Sequence, residues 1–154
     1  MAAVISLTQA VLEQLDLAPA EDAIAALLTE PTTEPELRFA IDYPRDPSDP
    51  RELSELPEVR LWFVRLDVTY PWLPLYLDWK GGELARYVAM LIPHQFHPTE
   101  GIQYNPEALE IWVMAKVFVL HRWLGDRSMQ GNARLKAMTQ VLGYEIDDAF
   151  FAML

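Results

Sequence analysis

The stretch PHQFHPTEG at residues 93–101 places two imidazoles and a carboxylate close together: His94, His97 and Glu100. These are ligand types that zinc or non-haem iron accepts, so the first chemistry to weigh is a metal site. Two features weigh against it. Pro93 and Pro98 preclude a regular helix that would line the three side chains up on one face. A further ligand would also be wanted, and His121 is the one remaining histidine. The competing reading is a structured loop whose imidazoles satisfy backbone carbonyls and which presents Phe96 to a partner.

Lys116 is the second unusual residue. On a helical wheel it is surrounded by Leu109, Trp112, Val113, Leu120 and Trp123, so its ammonium must snorkel, pair with an acid or stack on an aromatic face. A third cluster is aromatic: Tyr70, Trp72, Tyr76, Trp79, Phe96 and Tyr104 lie in irregular, proline-rich segments. Aromatics with a polar handle are favoured at protein interfaces. The partner-binding candidates are therefore Trp72, Trp79, His94, Gln95, Phe96, His97, Glu100, Tyr104 and Lys116.

The enzyme signatures are missing. The sequence has no G-x-x-x-x-G-K-[ST] loop, no G-x-G-x-x-G turn and no G-x-S-x-G elbow. Gly81-Gly82 reads as a turn into a helix, and Asp147-Asp148, adjacent on a helix, do not face each other. With no cysteine, thiolate metal sites, cysteine-held iron–sulfur clusters and cysteine nucleophiles are excluded together. The expectation is a protein without catalytic residues or cofactor.

A length of 154 residues points to one domain spanning 1–154. The net charge is −11, carried by the front: residues 1–58 hold 13 acids and 3 bases, residues 59–154 hold 10 acids and 9 bases. An acidic front repels phosphate backbones and argues against nucleic acid. No run approaches the ~20 apolar residues of a membrane span, and the first residues lack the form of a signal peptide, so a cytoplasmic protein without its own anchor is expected.

The elements that must position these side chains can be read in order. Ser6 and Gln9 have the form of a capping box opening a first helix, and Ala18-Pro19 opens a second. Residues 30–36 read as a linker. Alternation over 37–43 predicts a strand, with 59–68 as its antiparallel partner, although Val59, Trp62, Phe63 and Leu66 also fit a helical face. Pro44, Pro47 and Pro50 stiffen the loop between them. A helix follows Gly81-Gly82 and stops before Pro93. The clearest prediction is a long central helix over 106–124, capped by Asn105, started by Pro106 and stopped by Gly125. Two more helical segments surround Gly143. The fold class is thus helix-dominated α+β, with about five to six helices around 106–124.

Three stretches taken together carry a resemblance: DYPRDPSDPRELSELPEVRLWF at 42–63, YPWLPLYLDWKGGELARYVAML at 70–91 and PHQFHPTEGIQYNPEALEIWVM at 93–114. With LGYEIDDAF at 142–150, they resemble the chlororespiratory reduction six family of cyanobacteria and chloroplasts. That resemblance implies a soluble factor in biogenesis of the photosynthetic NAD(P)H dehydrogenase-like complex. The implied partner is the complex's iron–sulfur I subunit, bound before it joins the membrane complex. The resemblance transfers no catalytic or ligand-binding residues. The absence of a transit-like segment at the start fits a cyanobacterial cytosolic member, where chloroplast relatives would act in the stroma.

Overall fold

A computed structural model describes residues 2–29 and 36–154, so most of the 30–36 linker lies outside the described residues. These fall into two compact units. The first comprises residues 1–70 and 76–91, and the second residues 71–75 and 92–154.

The first unit is built on a parallel pair of strands. β1 (Ala3–Thr8) and β2 (Leu37–Asp42) lie in register, with Ala3 opposite Leu37 and Thr8 opposite Asp42. Between them run α1 (Gln9–Glu13) and α2 (Ala18–Thr29), the crossover that a parallel pair requires. The expected opening helix is therefore a strand in its first half. Ile5 and Leu7 are buried while Val4, Ser6 and Thr8 are exposed, which is the two-residue period of a half-buried strand. The cap signal was displaced by two residues: Thr8, not Ser6, starts α1, its hydroxyl accepting from Val11 N at 3.4 Å.

The expected antiparallel pairing of 37–43 with 59–68 is also corrected. Residues 59–68 lie within α3 (Pro57–Thr69), which has Pro57 in its first turn and buries Val59, Trp62, Phe63 and Leu66. Those positions repeat at helical spacing and meet β2 through their rings. Phe39 lies edge-on to Trp62 and Phe63 at 6.3 and 5.1 Å, and Phe63 to Tyr87 of α4 (Glu83–Leu91) at 6.0 Å. Each such pair adds about 0.5–1.5 kcal/mol beyond area burial. The polar ends of the rings are satisfied: Trp62 Nε1 donates to Asp16 O at 2.7 Å, and the Tyr87 hydroxyl donates to the Asp67 carboxylate.

The second unit holds an antiparallel hairpin and three helices. β3 (His94–His97) pairs with β4 (Gly101–Tyr104). α5 (Pro106–Asp126) follows, then α6 (Asn132–Val141) and α7 (Asp148–Phe151). The expected long helix is present with its predicted start, the Asn105 side chain accepting from Ala108 N at 3.0 Å. It runs through Gly125 rather than stopping there. Seven α-helices among the described residues, with two small sheets, make the helix-dominated α+β class. Among the described residues no helix is long and apolar enough to cross a membrane.

Candidate functional site

Strand register decides what the 93–101 stretch can do. In the hairpin His94 is opposite Tyr104, Phe96 opposite Ile102, and His97 opposite Gly101. Successive side chains of a strand point to opposite faces, so His94, Phe96, Ile102 and Tyr104 share one face. Gln95, His97 and Gln103 share the other. Gly101, at φ +74°, supplies the left-handed backbone of the turn.

The first face is aromatic. The His94 ring lies edge-on to Phe96 at 5.0 Å and meets Tyr104 at 6.3 Å. Its Nδ1 donates to Ile92 O at 2.9 Å, which fixes the tautomer. Burial pushes the Tyr104 phenol up to about 12. Phe96 remains 39% exposed.

The second face is polar and knotted to its own turn. His97 Nδ1 accepts from Thr99 N at 3.4 Å and Glu100 N at 3.3 Å, so its proton sits on Nε2. Glu100 accepts from the side chain of Gln103. His94 and His97 are thus turned to opposite faces and hold opposite tautomers. Among the described residues no group of three or more histidine, aspartate or glutamate side chains converges as a metal site would require. The stretch was expected as a loop. It is ordered strand and turn, closed at its base by Asn105 N donating to Pro93 O at 2.9 Å.

The other candidates fall into different places. Trp72 stacks on Trp123, with ring centroids 5.4 Å apart and an interplanar angle of 17°. The Arg127 guanidinium lies 4.2 Å from the same Trp123 ring, so a cation and a second indole both contact this half-exposed indole. Trp79 is half-buried and belongs to the first unit. Lys116 is only 6% exposed, its Nζ 5.6 Å from the Trp112 ring. Stacking on an aromatic face is one of the three arrangements that its position on the helix allowed.

One apolar surface was not legible in the sequence. α5 buries Leu109, Val113, Lys116, Val117, Leu120 and Leu124 on one side only. On its outer side Ile111 is 72% and Phe118 49% exposed. Phe118 approaches Phe150 of α7 at 6.2 Å, beside a cleft of 680 Å³ formed by Met114, Lys136, Gln140, Glu145, Ile146 and Asp147. An apolar residue on a long helix signals burial in the wheel. Nothing in a single sequence says which side of the helix stays exposed.

The family model for chlororespiratory reduction 6 matches residues 7–153. No solved structure matches the chain.

Proposed function

This chain belongs to the chlororespiratory reduction 6 family, and from that premise we propose a non-catalytic assembly factor that binds the iron–sulfur I subunit of the photosynthetic NAD(P)H dehydrogenase-like complex before its incorporation. The family match over residues 7–153 is the observation that carries the reading, since membership fits an assembly role for that complex. The choice of the I subunit follows the sequence resemblance, and the setting is the cytoplasm of a cyanobacterial cell. A chain without cysteine would protect or present such a client without taking its clusters through thiolates.

The proposed grip is the hairpin. Its aromatic face offers Phe96, His94 and Tyr104 as rigid anchors, and Gln95, His97 and Glu100 form a polar rim. Interfaces combine such apolar centres with polar edges. Trp72 and Trp79, both half-exposed, are secondary contacts. Lys116 is assigned to the fold, because its ammonium is buried over Trp112.

A native pull-down with the tagged protein from soluble extract tests the reading, with partners identified by mass spectrometry. Enrichment of the I subunit without the mature complex supports it. Phe96→Ala is expected to weaken that capture about tenfold, the effect of losing one interface anchor, while the protein still melts cooperatively. Capture of the whole mature complex, or of no complex subunit, overturns the assembly-factor reading.

A further inference from the structure

The two edges of the parallel sheet in the first unit are finished differently. At the outer edge of β2, Leu37 N donates to Tyr76 O and Asp78 N donates to Leu37 O at 3.2 Å. The next outward-facing residue, Phe39, is closed by side chains: its N–H donates to Glu83 Oε2 at 3.4 Å, and its carbonyl accepts from Arg86 Nη1 at 3.1 Å. A carboxylate and a guanidinium there substitute for the backbone of a further strand.

Among the described residues the edge of β1 has no such closure. The bond from Ala3 N to Glu36 O, at 2.9 Å, together with the register, turns the backbone groups of Ala3, Ile5 and Leu7 toward β2. In a parallel ladder the alternate residues then present theirs outward. Those residues are Val4 and Ser6, and among the described residues no backbone hydrogen bond outside the sheet reaches either of them. Their side chains are exposed, Val4 by 59%. A row of unpaired donors and acceptors is a template for another strand, and a two-stranded sheet gains most from a third.

We infer that the open edge of β1, at Val4 and Ser6, accepts an extended, lysine-bearing segment of a partner protein by strand addition. Only an extended backbone presents donors and acceptors at the spacing of a strand edge. The preference for lysine follows from charge. The first unit carries 16 acids against 7 bases. At the carboxyl ends of β1 and β2, Glu13 and Asp42 line a cleft of 580 Å³ with Thr8 and Gln9. A basic side chain on the added strand has its complement there. This surface is separate from the hairpin and does not depend on which subunit the hairpin holds.

The probe is an end-blocked octapeptide of alternating valine and lysine, added to the full chain, with amide hydrogen exchange read residue by residue. Binding is expected to slow exchange at Val4 and Ser6 at least tenfold. The same peptide N-methylated at every residue keeps its charge, loses its backbone donors and is blocked by methyl groups on both edges, so it is expected to give no protection. Ser6→Pro removes an outward N–H and leaves the bonds to β2, and is expected to weaken binding at least tenfold, whereas Ser6→Thr binds as the native chain does. Three results would each overturn the inference. One is no protection at these amides with millimolar peptide. Another is equal protection by the N-methylated peptide, which would mean charge attraction alone. The third is concentration-dependent protection without peptide together with dimer formation, which would make a second copy of this chain the occupant.

Discussion

Glu83 reaches across from α4 to the backbone of Phe39, its Oε2 accepting the N–H of a strand residue at 3.4 Å. The carboxylate is only 6% exposed, and burial pushes its pKa up, with Arg86 and Phe39 N–H acting in the opposite direction. The bond matters more than the charge. Glu83→Ala leaves a buried N–H without its acceptor, so a loss of about 1–3 kcal/mol is expected in urea unfolding. Glu83→Gln keeps an acceptor oxygen and removes the disfavoured charge, so it should stay within about 1 kcal/mol of the native chain. Equal losses in the two variants would show that the ion pair with Arg86, 3.6 Å away, carries the effect.

Asp78 lies beside Glu83 with the opposite tendency. Hydrogen bonds from Gly81 N at 2.8 Å and from Arg38 Nε at 2.8 Å hold its pKa below the ordinary 3.8. A carboxyl whose folded pKa is depressed adds stability above its unfolded value, and that contribution is lost as pH falls through the folded value. Glu83, raised in the fold, acts in reverse and costs stability as pH rises past its ordinary 4.5. The gap in melting temperature between the native chain and Asp78→Asn is therefore expected to narrow as pH drops from 7 to below 3.8. Glu83→Gln should gain on the native chain as pH rises through the carboxylate range. A gap for Asp78→Asn that is independent of pH would mean its hydrogen bonds survive protonation.

The part of this arrangement that could be read in the sequence was local. Asn105 and Pro106 announce the start of α5 because cap and first-turn chemistry act within three residues. Val59, Trp62, Phe63 and Leu66 fit both a strand and a helical face, and Pro57 with the buried ring cluster settles them as helix. The partner of β2 is β1, and that pairing is set by tertiary packing of Ile5 and Leu7 rather than by any nearby signal. Ser6 and Gln9 mimic a cap because a strand ending at Thr8 leads directly into a helix. The separation of His94 from His97 follows from β3 being a strand, in which residues three apart point to opposite faces, and spacing alone does not show that 94–97 is a strand rather than a loop.

That strand geometry gives a prediction about metal. Equimolar zinc should leave the melting temperature unchanged, since His94 and His97 cannot reach one ion without unpairing β3 from β4. Calorimetry with and without zinc checks this. A rise in melting temperature that disappears in His97→Ala would show that the hairpin rearranges to bring both imidazoles onto one ion.

Trp72 and Trp123 offer the cleanest separation of packing from charge. Trp72 stacks on one face of Trp123, and Arg127 lies over the same indole at 4.2 Å. Trp72 precedes Leu73, Pro74 and Leu75, all buried, so its ring lies at the edge of a packed segment. Trp72→Ala removes a half-exposed ring together with the stack, and a loss of about 2–3 kcal/mol is expected, below the ~3–5 kcal/mol of a fully buried tryptophan. Arg127→Ala removes a cation from an exposed ring and should cost about 0.5–1 kcal/mol. Arg127→Lys keeps the charge and gives up the flat stacking surface, so it should fall between Arg127→Ala and the native chain. If the three side chains act as a unit, the double variant Trp72→Ala with Arg127→Ala will lose less than the two single losses added together. Once Trp72 is gone, Trp123 is free to turn and Arg127 has less to stack on. Additive losses in the urea-unfolding cycle would mean that the two contacts are independent and that Trp123 is held in place by its own helix alone.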